Sequence, residues 1–216
     1  MIKEIDMGFY TEALNGYRQN AQTDIDLTTR LQNAKQLVDQ KYADRVHELV
    51  DQNKILQTVN SYGRSFDYSL YDSIHAAQQE FSRVVFQSPE EFFAGVASLE
   101  ELGLRGYITH CQTEQNSTQA KLDNLENGSG FLNRLGDMFG LKQNSEAKLT
   151  NKLAEQNHNI QVAGEAYQDW QKLTPEDKIE YELCKFENDQ TMGFDCEALK
   201  QYDVMKSQAQ IVADVQ

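Results

Sequence analysis

The six residues SPEEFF, Ser88 to Phe93, carry the reading of the fold. The Ser88 hydroxyl can accept from one of the first free N–H groups of a helix. Pro89 suits the first helical position, because its φ is already helical and an N–H there would have no partner. Glu91 stands three residues after Ser88 and can reach back to the serine N–H, which completes a capping box. Phe92 and Phe93 then open an apolar face. LTPEDK, Leu173 to Lys178, repeats the device. Thr174 caps, Pro175 opens, and Asp177 stands near the positive helix end. These are the only 2 prolines in 216 residues, so both prolines mark helix starts. So few prolines argue against a β-sandwich, which needs frequent turn residues.

Working outward, the apolar spacing predicts a long helix over about Thr23 to Val59. Its stripe is Leu27, Leu31, Ala34, Leu37, Val38, Tyr42, Val46, Leu49, Leu56 and Val59. Steps of three and four mean one buried face. A short amphipathic segment with Ile2, Ile5, Phe9 and Leu14 comes before it, and Gly16 is expected to interrupt that segment. NSYGRSFDYS ends the long helix, and a second helix follows from about Tyr68 to Phe86. The helix from Pro89 carries Phe92, Phe93, Val96 and Leu99, and the glycines of LGLRG predict a junction near Gly103 to Gly106. Further helices are predicted over about Tyr107–Leu125, Ser145–Lys172, Pro175–Glu187 and Cys196–Val212.

Apolar residues thin out along two of these helices in mirror fashion. Tyr107, Ile108 and Cys111 are close together, and then only Ala120, Leu122 and Leu125 follow. On the return, Leu149, Leu153 and Ile160 are sparse, while Ala166, Tyr167 and Trp170 are dense. Two antiparallel helices buried at one end only form a hairpin with a thin, coiled-coil-like seam. The fold class expected is all-α, an elongated helical bundle with a protruding antiparallel helical hairpin. The expected organisation is an N-terminal helical body over 1–106, the hairpin over 107–172, and C-terminal helices over 173–216 that pack on the body.

The hairpin turns at NGSGFLNRLGDMFGLKQN, Asn127 to Asn144, which differs from the polar arms around it. Phe131, Leu132, Leu135, Met138 and Phe139 fall at i, i+1, i+4, i+7 and i+8, on one face of a short helix. Gly128 and Gly130 precede them, and Gly140 can end the segment in a left-handed cap. If the face is exposed, it makes a patch of a few hundred Å², a size that marks interaction sites. These five residues are the expected partner-binding site. Folding back onto the hairpin or the body is the competing reading.

The formal charge is −14. Phosphate backbones and anionic lipid repel such a chain, so direct nucleic-acid binding is not expected. Membrane contact by the tip ranks below a protein partner, because the segment lacks the basic face that anionic membranes reward. No apolar run reaches the roughly 18–20 residues of a membrane span. MIKEIDMGFY lacks the apolar core of a cleavable signal, so a soluble protein, cytoplasmic or exported without such a signal, is expected.

The residues that carry chemistry do not form a motif. His47, His75, His110 and His158 are scattered, and no C-x-x-C, H-x-x-x-H or H-E-x-x-H occurs, so no metal is expected. No Walker loop, G-x-G-x-x-G or G-x-S-x-G occurs, so no cofactor and no catalytic residues are expected. Glu90–Glu91, Glu100–Glu101 and Glu176–Asp177 read as exposed or capping acids. Cys111, Cys184 and Cys196 are an odd set at irregular spacing, with Cys184 and Cys196 flanking a loop that could bring them together. The chain reads as a non-enzymatic interaction protein, an assembly or adaptor component such as a virion or secretion apparatus uses. Homo-oligomerisation is compatible with this. The alternatives are an acidic inhibitor that mimics nucleic acid against a nucleic-acid-handling enzyme, and a hairpin that contacts membranes.

Overall fold

The structure is a computed structural model that describes residues 8–20, 25–60, 68–127 and 141–215. Among these residues the chain forms seven α-helices and no strand. They are α1 (Phe9–Asn20), α2 (Leu27–Asn60), α3 (Tyr68–Val85), α4 (Pro89–Asn127), α5 (Leu141–Lys172), α6 (Pro175–Asp189) and α7 (Cys196–Val215).

Local chemistry sets the helix starts. Ser88 Oγ accepts from the Glu91 N–H and Glu91 Oε2 accepts from the Ser88 N–H, both at 3.1 Å, so the capping box is formed in both directions. Helix α2 begins later than the spacing predicts because Asp26 is its cap. Asp26 accepts from the Thr29 N–H at 3.0 Å and from the Thr29 hydroxyl at 2.8 Å. Asp195 opens α7 by accepting from the Glu197 N–H at 2.8 Å. At the far end of α6, Gln190 takes a left-handed φ of 56°. Its N–H and its side-chain amide both donate to the Phe186 carbonyl, at 2.9 and 3.3 Å, which closes the helix without a glycine.

Two expected breaks are absent. Helix α1 runs through Gly16, and α4 runs unbroken through Gly103 and Gly106. A glycine inside a helix costs only about 1 kcal/mol, which neighbouring residues readily offset. Gly103 also has a packing reason to lack a side chain. A methyl group there would sit 2.5 Å from Phe194 Cβ.

The chain divides into two compact units, and it passes between them within α1 and again within α4. One unit comprises 16–97 and 175–192. In it α2 packs along α3 and also touches α6. Its core joins Leu31, Ala34 and Val38 of α2 to Val84, Phe92, Phe93 and Val96, with Leu183 and Phe186 from α6. The long stripe of α2 is only partly used, since Leu27 and Leu37 are exposed.

The other unit comprises 1–15, 98–174 and 193–216. Its buried residues include Tyr10, Leu14, Leu104, Cys111, Ala163, Ala166, Trp170 and Leu199. Helix α5 runs antiparallel to α4. Moving forward along α4 from Glu101 to Glu114 to Gln115, the partners on α5 move back from Tyr167 to Lys152 and Asn157.

Candidate functional site

The five tip residues, Phe131, Leu132, Leu135, Met138 and Phe139, lie outside the described residues. The helices that lead to them are described. On α4, burial falls away after Cys111, and Thr118 is the one buried residue between there and Leu125. Its hydroxyl donates to the Glu114 carbonyl at 2.9 Å. On α5 from Asn144 onward, Gln156 is the first buried residue, and Ala163, Ala166 and Trp170 follow it. Glu114 pairs with Lys152 at 3.2 Å, and that contact holds its carboxyl below the usual range. Polar contacts thus alternate here with the half-buried Leu122, Leu125, Leu149 and Leu153, and the outer surface of α4 from Gln112 to Lys121 is polar except for Ala120 and the methyl of Thr113.

At the base of the same unit, α1 is fastened by acids from two other helices. Asp169 of α5 is almost fully buried and accepts twice from Thr11, from its N–H at 2.8 Å and its hydroxyl at 2.7 Å. A side chain from a distant helix thus performs the N-cap function for α1. Gly8 makes room for it, since a methyl group at Gly8 would overlap the Asp169 carboxylate. One residue after Phe9, the fully buried Tyr10 donates from its hydroxyl to Glu100 at 2.8 Å and packs on Trp170 at 4.7 Å. The sequence reading made Glu100 an exposed or capping acid; it is buried because Tyr10 meets it.

Beside this junction lies a cleft of about 310 Å³. Phe9, Val162, Ala166 and Leu199 supply apolar lining, and Tyr202 meets Phe9 edge to face at 5.1 Å. Lys172, Asp203 and Lys206 add charge around it. His158 Nε2 lies 2.6 Å from Asp203 Oδ2. Asp169 also lines the cleft, and each of its carboxylate oxygens already accepts one bond from Thr11.

In the other unit, charge gathers where α6 meets α1 and α2. Arg18 donates to Asp177 and Glu180, and Arg30 donates to Glu187 and to Cys184 Sγ at 3.1 Å. The hydrogen bond to Glu180 strengthens the hold of Arg18 on its proton, and that to Glu187 does the same for Arg30. Burial pushes the Cys184 thiol up, with Arg30 opposing in part. A thiol kept protonated is a poor nucleophile. Burial, with help from Asp189, lifts Tyr17 to about 12. Cys111, Cys184 and Cys196 are all free thiols.

Among the described residues, no group of three or more His, Cys, Asp or Glu is placed to hold a metal ion, and no helix is long and apolar enough to cross a membrane. No family model, curated protein or solved structure matches the chain.

The apolar residues of α4 divide between two sides of the helix. Leu99 and Leu102 are 61% and 60% exposed. The core side of α4 is Phe93, Ala97, Glu100, Leu104 and Cys111. At about 100° per residue, Leu99 and Leu102 stand on the other side of the helix. The signal was present in the sequence as a second set of apolar and small residues, in steps of three and four, out of phase with the first.

Proposed function

We propose that this chain is a non-enzymatic interaction protein, an assembly or adaptor component that binds a protein partner through Phe131, Leu132, Leu135, Met138 and Phe139. The observation that carries this reading is the surface of the α4–α5 arm. From Gln112 to Lys121 on α4 the exposed residues are polar apart from Ala120 and the methyl of Thr113, and the hydrogen bonds and ion pair to α5 are made by Glu114, Gln115, Lys152 and Asn157. Five large apolar side chains at the end of such an arm find little on it to cover them. Burying each is worth roughly 1.5–3 kcal/mol, which a partner groove can supply.

Replacing Phe131, Leu135 and Phe139 together with serine tests this. The triple variant keeps the melting temperature of the native chain and fails to retain the partner that the native chain captures. A drop in melting temperature equivalent to several kcal/mol would place the three residues in the core and sink the reading. The charge of −14 favours a second reading, an acidic inhibitor that occupies a basic cleft on a nucleic-acid-handling enzyme. Binding of that kind weakens steeply as salt rises, whereas apolar tip binding does not.

A further inference from the structure

The outward side of α4 holds a second surface, independent of the tip. Leu99, Leu102, Gly106, Thr109 and Thr113 recur in steps of three, four, three and four, and all are exposed. The two threonines are less polar than their names suggest. Thr109 Oγ1 donates to the Arg105 carbonyl at 3.0 Å, and Thr113 Oγ1 donates to the Thr109 carbonyl at 2.9 Å. With both hydroxyls turned back on the helix, their methyl groups complete an apolar strip. Asn116 continues it; the six positions themselves carry no charge, and the exposed Arg105 lies at their edge. The exposed side of a surface helix is ordinarily polar and charged.

We propose that a second copy of this chain covers this strip, with the two α4 helices antiparallel about a two-fold axis. Two features select a copy of the same chain. The first is charge. A net charge of −14 makes most surfaces of two copies repel each other, but this strip carries none. The acids nearest to it are engaged by α5: Glu101 accepts from Tyr167 and Glu114 pairs with Lys152. The second is shape. The strip tapers from two leucines at one end to glycine and threonine methyls at the other. A two-fold axis sets the bulky end of each copy against the small end of the other, as an isologous interface requires. In the register that joins these positions, Leu102 meets Thr113 of the second copy and Gly106 meets Thr109. Leu99 meets Asn116, and the flanking Arg105 meets Gln112 rather than another arginine.

The test is sedimentation of the full chain from micromolar to millimolar concentration. The native chain rises toward twice its mass, and Leu102→Glu stays monomeric over the same range with an unchanged melting temperature. In a Cys196→Ser background, mild oxidation links Leu102→Cys/Thr113→Cys into dimers, while either single cysteine variant does not link. A native chain that is monomeric throughout leaves the strip to some other partner and overturns the proposal. So does a dimer that Leu102→Glu leaves intact, or one that Leu102→Cys alone can link, since that requires parallel helices. The serine variant of the tip still dimerises, which separates this surface from the tip.

Discussion

Replacing Asp169 with alanine should loosen the unit that contains it, by an amount the structure allows to be worked out. Asp169 accepts from both the N–H and the hydroxyl of Thr11. Losing an N-cap acceptor costs about 1 kcal/mol, within a range of roughly 0.5–2. The Thr11 hydroxyl loses its acceptor as well, which adds about 1 kcal/mol or more where water cannot take over. Burying a carboxylate carries its own cost, and alanine removes that cost. Two short bonds to an anion at the positive end of a helix outweigh it, so the net loss is about 1–2 kcal/mol. Asp169→Asn keeps an acceptor and a good capping shape, so it should lose less than half as much. Trp170 is the only tryptophan, and it is fully buried next to Tyr10 in this unit. Its fluorescence in a urea titration therefore reports this unit directly. With a slope of about 2 kcal/mol/M, the alanine variant shifts the midpoint down by roughly 0.5–1 M. A midpoint equal to that of the native chain would refute the argument that Asp169 holds α1 in place.

Three further outcomes are expected. Gly103→Ala should cost about 1–3 kcal/mol because the new methyl meets Phe194, whereas Gly164→Ala has open space around it and should gain about 0.5–1 kcal/mol; urea midpoints that move the same way for both would contradict this. Ser88→Ala should cost about 1 kcal/mol by opening the capping box, and circular dichroism during thermal unfolding would show no shift if the box were idle. Burial raises Tyr17 and Tyr107 to about 12, so each keeps its proton in the fold above pH 10, where the unfolded chain loses it. Stability is then complete below pH 10 and falls as pH rises toward 12; a tyrosinate titration in which Tyr17→Phe or Tyr107→Phe removes absorbance that appears near pH 10 in the folded chain would contradict the assignment.

The helix starts at Pro89 and Pro175 were legible because a cap is made by residues three positions apart. Ser88 and Glu91 satisfy each other whatever the rest of the chain does. Gly103 was misread for the opposite reason. Sequence shows a glycine and its average cost, but the residue that needs the space is Phe194, far along the chain. Glu100 and Asp169 were illegible in the same way. Their partners, Tyr10 and Thr11, are 90 and 158 positions away, and nothing local marks an acid that will be buried. The apolar tip was visible as composition, because five large side chains stand among polar neighbours, and its residues lie outside those described here.

Leu99 shows how one run of apolar residues can serve two sides of a helix. Phe92, Phe93, Val96 and Leu99 are spaced like one face, but they belong to two. Leu104 and Cys111 continue the line of Phe93, Ala97 and Glu100, and that line is buried. Leu99 continues instead to Leu102, Gly106, Thr109 and Thr113, in the same steps and on the opposite side. A helix with apolar residues on both sides ordinarily has both sides covered. Here one side is covered from within the chain. The other side has two leucines and threonines that have hidden their hydroxyls, with Arg105 as the charge at its edge, in a chain that is 25% charged. Solubility alone does not call for such a strip, and the core does not use it. Its regular spacing over about 27 Å of helix is what a second helix needs in order to lie alongside.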